Sequence, residues 1–72
     1  MYTEVYTIEF DFINSRKPCQ VVTATERSLK ALLRRLTSEY PIMEYSSTPE
    51  EEVYLFSTPR GLLAVAITPK EA

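Results

Sequence analysis

Hydrophobic and polar side chains alternate along residues 2–13 of the chain. The apolar side chains fall on one face of an extended segment, namely Tyr2, Tyr6, Ile8, Phe10 and Phe12. The polar ones fall on the other face, namely Thr3, Thr7, Glu9 and Asp11, with Val5 as the exception. A period of two, carried by aromatic and β-branched residues, is typical of a half-buried strand. We therefore predict a strand over residues 2–13.

A polar segment separates this strand from a second, shorter one. Residues 14–18 combine Asn, Ser and Pro, which favour turns because Asn and Ser bond their own backbone and Pro ends an extended run. Residues 19–24 (CQVVTA) are again rich in β-branched side chains. The pattern predicts that the two strands form an antiparallel hairpin.

The next pattern has the period of a helix. Its apolar residues are spaced three and four apart, at Leu29, Leu32, Leu33, Leu36 and Tyr40. Thr23 and Glu26 have the spacing of a capping box, and Thr25 is an alternative N-cap. Pro41 ends the segment because a residue before proline avoids the helical region. These signals predict a helix over about residues 26–40.

The rest of the chain reads as short strands separated by turns. Residues 42–46 form either a third strand or a connector, and a polar loop follows them. The pattern predicts a strand over residues 53–57. Residues 58–61 (TPRG) are typical of a hairpin turn, because Pro presets φ and Gly adopts a positive φ. Residues 62–68 are nearly all apolar, which favours a strand covered on both sides. We expect the final residues, 69–72, to fray.

This order predicts one α+β domain over residues 1–72. The expected architecture is a two-layer sandwich: a mainly antiparallel sheet with one helix, in the order β-β-α-β-β, with a further strand if residues 42–46 pair. One helix covers only part of such a sheet, and the uncovered face would include Val5, Thr7 and Glu9. We expect a homodimer through that face or an edge strand, because exposed apolar patches mark interfaces. The predicted self-association residues are Tyr54, Phe56, Leu63, Val65 and Ile67.

Composition narrows the chemistry of the chain. Its 72 residues include one Cys, one Gly and no His. One Cys forms no internal disulfide, and a zinc site usually needs several Cys or His ligands. Phosphate-binding loops need several glycines. We therefore predict no catalytic residues, no cofactor and no metal site.

Apolar runs in the chain are short. None approaches the ~18 residues of a membrane span, and the first residues show no basic segment followed by an apolar one. The sequence thus predicts a soluble, cytoplasmic protein that has no membrane partner.

Positive charge concentrates on the predicted helix. Arg27, Lys30, Arg34 and Arg35 are four of the eight Lys and Arg residues, and the first three lie opposite the leucines. Such a face could bind an acidic partner or nucleic-acid phosphates. The alternative is a merely solvated face, since an amphipathic helix needs polar residues outside. The net charge of −2 argues against a dedicated nucleic-acid binder.

Other candidate residues have ordinary structural explanations. The acidic run at residues 50–52 is expected to be a solubilising loop, and the five tyrosines are expected to serve the core or an interface. Cys19 is expected to be buried and inert, although Arg16 and Lys17 could activate it. Glu9 and Asp11 share a strand face, which we interpret as the solvent side.

Three functional hypotheses remain in order of preference. The first is a non-enzymatic protein-interaction or regulatory module, homodimeric, that binds a protein partner through the basic helix face or a sheet edge. The second is a nucleic-acid-binding or antitoxin-like regulator that uses Arg27, Lys30, Arg34 and Arg35. The third is a small enzyme or ligand-binding domain with a pocket between subunits, which lacks the usual catalytic constellations.

Overall fold

The computed structural model describes residues 5–14, 16 and 19–70. It contains one helix and five strands, and these confirm the predicted α+β class. They are β1 (Val5–Phe12), β2 (Gln20–Thr25), α1 (Glu26–Glu39), β3 (Ile42–Ser47), β4 (Glu52–Thr58) and β5 (Gly61–Lys70). The predicted strand residues Tyr2 and Thr3, and Lys17 with most of the predicted turn, lie outside the described residues.

All five strands belong to one antiparallel sheet. Its spatial order is β2-β1-β5-β4-β3, so the last strand of the chain occupies the centre. The predicted hairpin of β1 and β2 is confirmed, and β5 pairs with both β1 and β4. Strands β2 and β3 form the two edges, and α1 links one edge to the other.

The ends of helix α1 are defined by a capping threonine and a proline. Thr25 is the N-cap, and its Oγ1 accepts a hydrogen bond from the Ser28 backbone N–H at 3.3 Å. The cap is therefore the second of the two predicted ones. At the other end, the Tyr40 N–H donates to the Leu36 carbonyl at 2.9 Å, and Pro41 follows.

The core lies between α1 and one face of the sheet. Leu29 is the one buried helix residue among those described, and the sheet contributes the remaining buried residues, Ile8, Phe56, Leu63, Val65 and Ile67. The strand register explains why these buried side chains form one layer, since Ile8 lies opposite Ile67 and Phe56 lies opposite Leu63. Side chains directly opposite one another share a face of the sheet.

This layer corrects the predicted self-association surface. Phe56, Leu63, Val65 and Ile67 point towards α1 and not away from it, and their exposed fractions are between 0% and 8%. Tyr54 belongs to the same face but is half-buried. For Phe56, Leu63, Val65 and Ile67 the prediction was wrong. Residues 62–67 are apolar at both odd and even positions, so the pattern did not identify which face the helix covers.

Three local features complete the fold. Residues 42–47 do form a strand, with a register shift between Ile42 and Glu44. The predicted turn at residues 58–61 is present: Gly61 has φ 119°, and the Thr58 hydroxyl donates to its carbonyl at 2.7 Å. Strand β5 continues to Lys70, further than predicted. Within the described residues, no helix is long and apolar enough to cross a membrane.

Candidate functional site

The outer side of α1 carries the predicted basic residues. We call Arg27, Lys30 and Arg34 the basic helix face. At 100° per residue, Arg27 and Arg34 point away from Leu29, which anchors the helix on the sheet. Arg35 does not belong to this face, because it lies about 100° around the helix from Arg34. All four side chains belong to exposed residues.

Within the described residues, most of this positive charge has no acidic partner. Among the described residues the single ion pair joins Lys30 Nζ to Glu26 Oε1 at 3.3 Å, one helical turn apart. Both side chains are more than half exposed, so the pair contributes little to stability. A shallow depression of about 440 Å³ runs between Glu26, Arg27, Lys30, Ala31 and Arg34. The basic helix face therefore offers two arginines that are ready to pair with an external anion.

On the opposite side of the sheet, the ionisable side chains that the structure describes are acidic. We call this side the open face, because no described element covers it. Its centre is formed by small and aliphatic residues that are half-buried: Val53, Leu55, Ala64 and Ala66. Glu9 and Asp11 of β1 and Glu44 of β3 lie on the same face by register. The described charges are thus separated: basic residues lie on the outer side of α1, and acidic residues lie on the open face.

An aromatic cluster lies on the helix side of the sheet near its β3 edge. The ring centroids of Tyr45 and Tyr54 are 4.7 Å apart, and those of Tyr54 and Phe56 are 5.9 Å apart with nearly parallel planes. The Tyr45 hydroxyl donates to Glu52 Oε1 at 2.7 Å. Burial, the Glu52 charge and the contact with Tyr45 all raise the pKa of Tyr54 above its ordinary value. The tyrosines here have a packing role.

The acidic loop is organised by its own backbone. Thr48 Oγ1 accepts the N–H groups of Glu50 and Glu51 at 3.3 and 3.0 Å, and it donates to the Glu51 carbonyl. Glu52 points to Tyr45, and Glu50 and Glu51 are exposed. In the part of the chain that the structure describes, no three His, Cys, Asp or Glu residues are grouped as metal ligands.

Cys19 differs from the sequence prediction in two respects. It is exposed, not buried, and it directly precedes Gln20, the first residue of β2, which lies opposite Phe10. Desolvation beside the strand and the carboxylates of Glu9 and Asp11 raise its pKa above the ordinary value of 9.0. The two carboxylates disfavour the thiolate, so the structure does not support activation of Cys19 as a nucleophile.

Neutralising the two carboxylates should make Cys19 more reactive. We expect the double substitution Glu9→Gln and Asp11→Asn to speed alkylation by iodoacetamide, since a lower pKa increases the thiolate fraction at neutral pH. The rate should be measured by mass spectrometry across a pH series. Glu26→Gln is the matched control and should leave the rate unchanged. An equal rate in all three proteins contradicts this assignment.

The two edges of the sheet are further candidates for interaction. All residues of β3 are exposed, and so are all residues of β2 except Ala24. Val21 is 56% and Val22 is 44% exposed. The sequence did not identify either edge strand as a specific site, because strand order depends on pairing between distant segments. The sequence does carry one signal for the β2 edge, since residues 20–25 are uncharged and mostly β-branched.

No protein-family model matches this chain, and comparison with curated proteins and with solved structures gives no match either.

Proposed function

We propose that this protein is a small non-enzymatic interaction module whose basic helix face binds an acidic segment of a protein partner. One observation carries the proposal: Arg27 and Arg34 are exposed on the side of α1 opposite its buried leucine, and within the described residues neither forms an ion pair. Arginine binds carboxylates in a two-pronged geometry, which suits recognition of Asp and Glu side chains.

The size of the surface suits a short acidic segment. Arg27 and Arg34 are seven residues apart, which places them about 10 Å apart along the helix axis. Lys30 lies between them and already has a partner in Glu26. A bound segment would therefore contact the two arginines directly and compete with Glu26 for Lys30. Such contacts act mainly on the association rate and the orientation of the complex.

Nucleic acid is the less favoured partner because of charge. The chain has a net charge of −2, and Glu9, Asp11 and Glu44 lie on its open face. A nucleic-acid-binding domain of this size usually carries a positive net charge that attracts the phosphate backbone. A short acidic segment contacts only the basic helix face, whereas an extended polyanion also experiences the net negative charge of the whole molecule.

Reversal of the basic helix face should abolish binding of an acidic peptide. The variant carries Arg27→Glu, Lys30→Glu and Arg34→Glu, and the probe is a fluorescently labelled peptide rich in Asp and Glu. We expect at least a tenfold loss of affinity by fluorescence anisotropy at low salt, because each exchange replaces attraction by repulsion. Arg60→Glu in the β4–β5 hairpin is the matched control and should retain binding.

A second probe distinguishes the two partner classes. A labelled single- or double-stranded oligonucleotide is titrated under the same conditions at low and moderate salt. If the oligonucleotide binds more tightly than the acidic peptide, with a steep salt dependence that the triple reversal removes, the nucleic-acid function replaces the one proposed here. If the triple variant binds the peptide as tightly as the unmodified protein, the basic helix face is not the binding surface.

A further inference from the structure

The free edge of β2 has backbone groups directed away from the sheet. The Ile13 N–H donates to the Leu62 carbonyl at 2.9 Å, and this pair continues the register of β1 with β5. Antiparallel residues alternate in the direction of their backbone groups, so the odd-numbered residues of β1 bond to β5 and the even-numbered ones to β2. The even-numbered residues of β2 therefore bond to β1, and Val21 and Thr23 direct their N–H and C=O groups outward.

The edge is regular as well as free. The register between β1 and β2 runs from Val5 opposite Thr25 to Phe10 opposite Gln20 without a shift. No charged residue, proline or bulge protects residues 20–25, although these are the usual features that prevent edge strands from pairing. Val21 and Val22 are among the most exposed apolar side chains of the described residues. Within the described residues, the β2 edge offers unpaired backbone groups to a further strand and has no feature that prevents its addition.

We propose that the strand added to β2 is the β2 strand of a second copy of this chain, in antiparallel orientation about a two-fold axis at Val22. In this register Val21 lies opposite Thr23 of the second copy, and each such pair exchanges two backbone hydrogen bonds. Val22 lies opposite its own symmetry mate. The two five-stranded sheets then form one continuous sheet with both α1 helices on the same side.

Charge selects this surface over the other places where two copies could meet. Residues 20–25 carry no ionisable side chain, so self-pairing brings no like charges together. The β3 edge carries Glu44 and has a register shift beside it, and the loop after it carries Glu50 and Glu51. A dimer through the open face would oppose the acidic residues of two copies. Like charges directly opposite one another destabilise a sheet.

The interface is small, so we expect a dimer that dissociates on dilution. Six residues from each copy bury less accessible surface than the roughly 1,200–2,000 Å² that is usual for stable complexes. The weight-average mass measured by sedimentation equilibrium should therefore rise from monomer towards dimer as the concentration increases. A mass that stays at the monomer value over the whole range overturns the proposal.

Proline substitutions test which edge pairs. Thr23→Pro removes an outward N–H that no described residue accepts, and we expect it to weaken self-association at least about tenfold by loss of interchain hydrogen bonds. The matched control is Ser47→Pro at the β3 edge, where residue 47 lies opposite Glu52. It should leave self-association unchanged. If Ser47→Pro and not Thr23→Pro disrupts the dimer, the edge is wrongly assigned.

A charge-swap experiment tests the position of the two-fold axis at Val22, and it needs no proline substitution. Val22 is 44% exposed, so Val22→Lys and Val22→Glu are each compatible with the folded monomer, which circular dichroism will verify. Each variant alone should be monomeric, because identical charges meet on the two-fold axis. An equimolar mixture of the two should recover the dimer as a mixed species. Unchanged dimerisation of either single variant overturns the proposed register.

Discussion

Phe56→Ala should destabilise the protein by about 3–5 kcal/mol, the usual cost of removing a large aromatic side chain from a core. The Phe56 side chain is completely buried, stacks on Tyr54 and lies opposite Leu63 of the central strand β5. A chain of 72 residues has about 4–11 kcal/mol of total stability at typical values per residue. The variant should therefore be partly or largely unfolded at room temperature.

Urea denaturation followed by circular dichroism measures this loss. The matched control is Leu62→Ala, an apolar truncation in β5 beside Leu63 but on the open face, where Leu62 is exposed. It should cost well under half as much, because little buried area is lost. If Phe56→Ala and Leu62→Ala have equal unfolding free energies, the helix covers a different face of the sheet from the one described.

Leu29→Ala should cost about 2–5 kcal/mol and should also weaken the proposed binding function. Leu29 is the buried anchor of α1 within the described part of the chain, and the basic helix face lies on the other side of the same helix. Truncation leaves a cavity below the first turns of the helix, while Leu32, Leu33 and Leu36 remain only half-buried. Arg27 and Lys30, next to the cavity, should then lose their fixed positions.

The measurement pairs thermal unfolding with binding of the acidic peptide. For the unfolding measurement the matched control is Lys30→Ala, which truncates the exposed residue after Leu29 and breaks its surface ion pair with Glu26. It should change stability by less than about 1 kcal/mol. A Leu29→Ala variant as stable as Lys30→Ala shows that the helix is not anchored at Leu29.

The helix is the element that the sequence predicted most completely. Three independent local signals agree there: the leucine spacing, an N-cap threonine and Pro41. The structure places its ends within one residue of the prediction, with Thr25 as the cap. The aromatic alternation of β1 was equally clear, and the tight turn at Gly61 followed from residue chemistry alone. These features depend on neighbours in the chain, which is why local reasoning found them.

The candidate site was only partly predictable. The basic helix face followed from periodicity, although Arg35 lies outside it. The exposure and raised pKa of Cys19 were not predicted, because they depend on how the hairpin brings Cys19 near the carboxylates of Glu9 and Asp11. The acidic open face was also missed, since Glu44 joins Glu9 and Asp11 only across the full width of the sheet.

The sequence by itself determined the element types, their order and the basic character of the exposed helix face, because hydrophobic period, caps and turn residues act over a few positions. The tertiary structure decided which strand is central, which face of β5 meets α1 and which edges stay free. Those properties arise when β5 inserts between β1 and β4, a pairing that joins distant segments and leaves no periodic trace in either. The same pairing buries Val65 and Ile67, and it leaves β2 as an uncharged edge.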